Sequence, residues 1–311
     1  MALKYNEKNY PYIDLGSGYH IYIQEDRCTH GAELEAKARQ YINESPESLA
    51  RGLQELREMI AMEPDLNVPA ESDWYLNIFL RAGLYDTKRA FTILEANCRQ
   101  KLKKPEYFAP IAALRHVYEE GVVSMLPERD DDGAVVIVVE SGKRWDTSKV
   151  SVDQLNSAVS ALVGILTQSE EAQLHGVKLL FDVDGLAMSH IVQFTPNATA
   201  IMLNLIENCS TIRTINTHTV NTGMVYNMLF SIIKPLQSKR MREIMVMHGR
   251  NLTSSLGKYI NPKILPARFG GTSKAPPCEG RLFAELMMCY DEWLSKTFLP
   301  YGYTRKNSIS S

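Results

Sequence analysis

Side chains that could do chemistry are present in this chain, but their spacing does not assemble a catalytic group. Asp182 and Asp184 follow an apolar run at the predicted end of a strand, where active sites of α/β proteins form. Two carboxylates without a partner base do not define a mechanism, so hydrogen bonding within a loop is the favoured interpretation. His218 lies within one predicted strand and His248 ends another, and structural roles are favoured for both.

The short motifs of the common enzyme classes are missing. The sequence contains no GxSxG, no GxxxxGK[ST], no HExxH and no paired cysteines, and Gly16-Ser-Gly18 lacks the third glycine of a dinucleotide site. The five cysteines are scattered, which favours reduced thiols of the cytoplasm over disulfides. A net charge of −2 over 311 residues gives no field that would attract nucleic acid. We therefore expect no enzyme, no metal, no cofactor and no nucleic-acid partner.

Turn residues and apolar periodicity divide the chain into four parts. Residues 1–31 show no clear period and predict an irregular arm, whereas residues 32–118 predict a helical domain with Ser45-Pro46 as one helix start. Residues 119–275 predict an α/β domain, and residues 276–311 predict a long helix near 282–299 followed by a tail.

Strands and helices alternate in the third part. Ala134 to Val139 is a short β-branched run typical of a buried strand, and Val177 to Val183 predicts the next strand. Ser151 with Gln154 predicts a capping box, and Thr195-Pro196 predicts a second helix start. This alternation predicts a mainly parallel sheet with helical crossovers.

The segment from Asn221 to Lys239 is apolar on nearly all sides, which one core-facing stripe does not explain. It is either a helix buried on both faces or a movable lid over a cavity. Lys239, Arg240 and Arg242 follow it, and basic residues beside an exposed apolar helix suit an anionic membrane. The other interpretation of these charges is a solvated face.

Several motifs occur in the order found in the CRAL-TRIO family, and the chain resembles that family over about residues 70–272. They are Gly176-Val-Lys-Leu-Leu-Phe-Asp-Val-Asp-Gly185, Gln193-Phe-Thr-Pro196, Ile233-Lys-Pro235, His248-Gly249 and Ile264-Leu-Pro-Ala-Arg-Phe-Gly-Gly-Thr272. The resemblance implies an α/β fold in which an all-helical N-terminal domain packs on a lipid-binding domain with a cavity and a lid helix.

The resemblance also implies a phosphoinositide-binding recess. Arg213 and Arg240 match two of its four basic positions, and Ile215 and Ile244 occupy the other two. Lys239 and Arg242 are the candidates that would complete it.

These observations predict a carrier for one hydrophobic lipid, such as a retinoid, tocopherol, carotenoid or phospholipid. It would be cytoplasmic and would associate peripherally with membranes. A lipid-sensing module that recruits a protein partner is the alternative. The predicted pocket and lid residues are Leu162, Val163, Leu180, Phe194, Met202, Leu205, Ile206, Val225, Leu229 and Ile233.

Overall fold

A computed structural model describes residues 1–24, 31–249 and 251–304, with the backbone alone for residues 32 and 33. The chain begins with an antiparallel three-stranded sheet of β1 (Ala2–Tyr5), β2 (Pro11–Gly16) and β3 (Tyr19–Tyr22). The prediction of an irregular arm over residues 1–31 was therefore wrong for this stretch. Ile13, Leu15 and Ile21 are buried on one face of the sheet, an alternation that the surrounding Tyr and Gly residues obscure.

Five helices and one short strand follow. They are α1 (Gly31–Ile42), α2 (Pro46–Ala61), β4 (Leu66–Asn67), α3 (Asp73–Ala82), α4 (Thr87–Lys103) and α5 (Ile111–Glu119). Ser45 caps α2 as predicted, because its side chain accepts from the backbone N–H of Ser48. Asp86 caps α4 in the same way, through the backbone N–H of Arg89. Phe79 and Leu76 of α3 are fully buried, so these helices surround a common apolar core.

The third part of the chain folds around a five-stranded sheet in the order β5, β6, β7, β8, β9. Its strands are β5 (Val123–Met125), β6 (Val135–Glu140), β7 (Val177–Asp182), β8 (Thr214–Val220) and β9 (Met245–Met247). β5 is antiparallel to β6, and the other neighbouring pairs are parallel. The predicted α/β fold with a mainly parallel sheet is confirmed.

Helices connect the strands of this sheet. They are α6 (Val152–Leu166), α7 (Glu170–His175), α8 (Met188–Ile191), α9 (Pro196–Glu207), α10 (Met224–Ile233) and α11 (Lys239–Ile244). The capping box of Ser151 and Gln154 is present at α6, and Thr195 caps α9. The predicted helix over 221–239 was too long. α10 gives way to a 3-10 turn at Pro235, which has no N–H to continue the α-helical pattern.

The C-terminal region contains α12 (Leu252–Ser255), α13 (Gly280–Met288), α14 (Asp291–Thr297) and β10 (Gly302–Tyr303). The prediction of one long helix near 282–299 was wrong, because the chain leaves helical geometry at Tyr290. The break lets two faces be buried separately: Phe283 and Met287 on α13, and Leu294 on α14. β10 pairs with β4, so the C-terminal segment returns to the helical region. None of the helices in the described ranges is long and apolar enough to cross a membrane.

A buried ion pair joins β7 to the loop before β6. Lys178 is buried and donates to Asp130, to Asp132 at 2.7 Å and to the carbonyl of Tyr259 at 2.9 Å. Asp130 is also buried and accepts from the backbone N–H of Asn261 at 2.9 Å. Three separate segments therefore depend on one ammonium group.

We predict that Lys178→Met lowers the free energy of unfolding by about 3–5 kcal/mol, because Asp130 would remain buried without its counter-charge. Denaturant-induced unfolding measures the change. Lys143→Met is the matched control, because its ion pair with Asp184 is solvent-exposed. Equal effects of the two substitutions would contradict this role for Lys178.

Candidate functional site

A largely apolar cavity lies between the central sheet, α6, α9 and α10. Its volume is about 130 Å³ when measured for the centre of a water-sized sphere. On that scale it has room for on the order of ten waters. Leu179, Phe181 and Val183 line it from β7 and the residue that follows. These positions alternate along the strand, so one face of the sheet forms a wall of the cavity.

Most of the predicted pocket and lid residues meet at this cavity. Those that line it are Val163, Phe194, Met202, Leu205, Ile206, Leu229 and Ile233. They come from three segments distant in sequence: α6, α9 with the turn that precedes it, and α10. Their contact with a lipid remains a prediction.

Leu162, Leu180 and Val225 do not line the cavity, so their prediction as pocket residues was wrong. Leu180 points to the opposite face of the sheet, where it packs with Val136 and Val138 in a separate core cluster. Leu162 is fully buried on the face of α6 that joins the main core. Val225 is partly buried against that same core. Neighbouring residues of a strand or helix point in different directions, and the apolar composition alone does not say which direction meets the cavity.

The sequence analysis missed polar residues that also line the cavity. Asn97, Lys101, Ser157 and Thr217 belong to this set. Asn97, Ser157 and Thr217 are almost completely buried, and each has a side-chain atom without a hydrogen-bond partner among the described residues. A signal was available on α4, because Asn97 and Lys101 continue the helical spacing of the buried Ala90 and Leu94.

α10 is apolar on two faces that have different surroundings. Tyr226, Leu229 and Ile233 are buried and line the cavity. Met224 and Met228 point outward and are 82% and 48% exposed. The helix is therefore not buried on both faces. It covers the cavity with one side and presents large apolar side chains on the other.

A second exposed apolar pair lies on the neighbouring segment. Met188 on α8 and Val192 immediately after it are 52% and 69% exposed. α8 packs against α10, so these side chains extend the outer surface of the cavity cover. We call Met188, Val192, Met224 and Met228 the outer apolar patch.

Arginines from three segments face one another near α11. Burial lowers the pKa of Arg213 and of Arg240, and the nearby guanidinium group of Arg89 lowers both further. Arg213 donates to the carbonyl of Leu174, and Arg240 donates to the carbonyl of Glu207, both at 3.3 Å. None of the three guanidinium groups forms an ion pair with a carboxylate in the described part of the chain. We call Arg89, Arg213 and Arg240 the arginine cluster.

Lys239 and Arg242 are exposed on α11, beside the arginine cluster rather than within it. Arg89 was not predicted, because it lies on α4, more than 100 residues before its two partners in sequence. Ile215 and Ile244, at two of the four positions that are basic in the family pattern, are partly buried. Arg89 thus adds a positive charge that the comparison of motifs alone did not reveal.

The remaining candidates for chemistry have structural partners. Asp182 accepts from the side-chain amide of Asn221 at 2.8 Å, and Asp184 pairs with Lys143. His218 lies 3.0 Å from His248 between ring nitrogens, and burial lowers the pKa of His218 to about 3. A histidine with this pKa is neutral near pH 7 and is a poor proton carrier there.

Comparison with known proteins indicates the family to which this chain belongs. Residues 119–271 match the family model described as the CRAL/TRIO domain. The alpha-tocopherol transfer protein-like protein of Homo sapiens is 31% identical over 251 residues, which are 79% of this chain and 72% of that protein. The chain belongs to the CRAL-TRIO family. Members of this family bind and transfer lipids, so the apolar cavity is the site expected to hold one.

A second sequence relative matches a similar share of this chain. Clavesin-1 of Xenopus laevis is 26% identical over 256 residues, covering 81% of this chain and 76% of that protein. Among solved structures, Sfh5 aligns with 79% of this chain and 98% of its own, at 13% identity and a TM-score of 0.46. The two sequence matches cover 79% and 81% of this chain, whereas residues 119–271 are about half of it. The similarity to these relatives therefore extends beyond the matched domain.

We predict that Val163→Trp weakens binding of a fluorescent apolar probe about tenfold. The indole would fill space equivalent to two or more ligand methylenes, each of which contributes about 0.8 kcal/mol. Probe titration measures the affinity. Leu180→Ala is the control: it should lower stability by about 2–5 kcal/mol but leave probe binding unchanged, because Leu180 faces away from the cavity. Loss of probe binding in the control alone would contradict the assignment of the cavity.

Proposed function

We propose that this chain is a lipid carrier that does no covalent chemistry: it holds one hydrophobic lipid in the cavity and transfers that lipid at membranes. The observation that carries the proposal is α10, which lines the cavity with Tyr226, Leu229 and Ile233 and exposes Met224 and Met228. Such a helix can exchange its contacts with the cavity for contacts with a bilayer at little cost in apolar surface.

The cavity supplies affinity without a specific polar contact. Each methylene transferred from water into it contributes about 0.8 kcal/mol, so a chain of ten methylenes contributes on the order of 8 kcal/mol. This sum is offset by the loss of translational and rotational freedom on binding. A retinoid, tocopherol, carotenoid or phospholipid chain offers enough apolar surface, and these remain the proposed ligand classes.

The outer apolar patch is the proposed membrane contact. Its four side chains are exposed together on α8 and α10, and such groups of large apolar residues mark interaction surfaces. The arginine cluster, with Lys239 and Arg242 beside it, provides positive charge near the C-terminal end of this cover. We propose peripheral association with anionic membranes, including phosphoinositides, from the cytoplasmic side.

The alternative function is a lipid-sensing module that recruits a protein partner. The same exposed patch would then bind protein when the cavity is loaded. Transport and recruitment differ in one observable property, since a carrier delivers its lipid to protein-free vesicles and a pure sensor does not.

Native mass spectrometry of the purified chain, followed by organic extraction, tests the carrier proposal. We expect one lipophilic molecule per chain, and we expect the loaded protein to transfer it to protein-free vesicles. A folded protein that binds no retinoid, tocopherol, carotenoid or phospholipid under any loading condition would contradict the proposal. Loading without transfer would favour the sensor.

We predict that Arg213→Ala with Arg240→Ala slows transfer to anionic vesicles and leaves lipid affinity unchanged. Each basic residue near an anionic surface contributes about 1 kcal/mol, or about fivefold in vesicle affinity. Vesicle flotation and transfer rates measure the effect. Arg281→Ala, at an exposed arginine of α13, is the matched control. If both variants transfer at the wild-type rate, the arginine cluster has no role at the membrane.

A further inference from the structure

Lys101 places an ammonium group at the wall of the apolar cavity. Its Nζ lies 5.7 Å from the ring centre of Phe108 and 5.6 Å from that of Phe298, and all three residues line the cavity. Nζ donates to the carbonyls of Phe298 at 2.7 Å and Tyr301 at 3.2 Å. An ammonium group has three N–H donors, so one remains after these two bonds.

No carboxylate in the described part of the chain lies within ion-pair distance of Lys101. Lys101 is partly buried, and this burial lowers its pKa to about 8. A positive charge in apolar surroundings is unfavourable unless an opposite charge accompanies it. The chain itself supplies aromatic faces and carbonyl dipoles but no counter-charge.

The wall of the same cavity carries further hydrogen-bonding groups. Tyr107 donates to Asp153, which joins the segment after α4 to the first turn of α6. The next turn of α6 contains Asn156 and Ser157, whose Nδ2 and Oγ have no partner among the described residues. Both residues line the cavity with Lys101. Donors from two helices therefore border the same space.

We infer that the lipid carried in this cavity is a single-chain acid whose carboxylate is seated against Lys101 and whose hydrocarbon chain extends toward α10. The inference rests on the proposed carrier function and names the ligand class. The carboxylate accepts from the free N–H of Lys101 and from the unpartnered donors of α6. Its chain then meets the apolar wall formed by Leu179, Phe181 and Leu229.

A lipid alcohol is the competing ligand. Asn97 donates through Nδ2 to the carbonyl of Cys209, which leaves its Oδ1 as an unpartnered acceptor on the same wall. A hydroxyl could donate to Asn97 and accept from Lys101, but it would leave the ammonium charge without a counter-charge. A charge in apolar surroundings is costly without an opposite charge beside it, so the acid, which supplies one, is favoured over the alcohol.

The test compares oleate, oleyl alcohol and methyl oleate, which share one hydrocarbon chain and differ in the headgroup. Displacement of the apolar probe from the full chain measures each affinity. We expect wild type to bind oleate at least about tenfold more tightly than the other two. Lys101→Met should abolish this preference and retain methyl oleate binding, and Lys101→Arg should restore it. Lys103→Met, at an exposed lysine of the same helix, should behave as wild type.

A second measurement needs no variant. The carboxyl ¹³C resonance of labelled oleate reports its ionisation, and pairing with Lys101 should keep the bound carboxylate ionised at a lower pH than in a lipid vesicle. Equal preference in wild type and Lys101→Met, or tightest binding of the alcohol, would overturn the inference while leaving the carrier function intact. Binding of none of the three lipids, with the apolar probe still bound, would also overturn the inference, whereas failure to bind any apolar probe would count against the carrier function itself.

Discussion

Because side chains alternate along the strands of the central sheet, one face of the sheet packs into a dense core and the other face lines the cavity. On β7, Leu179 and Phe181 point into the cavity, whereas Leu180 packs with Val136 and Val138 on the other face. The packed face is closed by segments such as α12, which contributes the buried Leu252. The sheet is therefore one rigid wall shared by a dense core and a cavity, and the register of its strands determines the shape of both.

In the proposed function, the cover of the cavity must remain closed in water and still open at a membrane. α10 meets this requirement because its apolar character is divided between two faces, with Leu229 buried and Met224 exposed. The exposed face is unfavourable in water by the hydrophobic effect, and a bilayer removes that cost. Exposed methionines suit such a surface, since their flexible side chains adapt to irregular apolar surroundings.

The arginine cluster and Lys101 place positive charge in different surroundings. The arginine cluster lies outside the cavity, where Arg89 joins Arg213 and Arg240 from a distant helix. Lys101 lies at the cavity wall between aromatic rings. The outer charges suit the headgroups of a membrane, whereas the inner charge suits the headgroup of one bound molecule. In the proposed function, the outer charges recognise the membrane and the inner charge recognises the lipid that is carried.

Much of the local structure was decided by the sequence alone. Ser45, Ser151 and Thr195 begin helices because their side chains accept from backbone N–H groups a few residues later, which is a short-range effect. The β-branched run of β6 forms a buried strand because such side chains fit the packed surface of a pleated sheet. The alternation of strands and helices then predicted the parallel sheet, and the family resemblance implied a helix covering a cavity.

Only the tertiary structure decided the direction of each apolar side chain and the meeting of residues distant in sequence. Leu162 and Val163 are adjacent, apolar and both packed in the main core, yet only Val163 also lines the cavity. Arg89 meets Arg213, and Lys101 meets Phe298, through packing between separate segments. Periodicity identifies an apolar face, but what that face contacts depends on where the other elements pack, and this is a property of the whole fold.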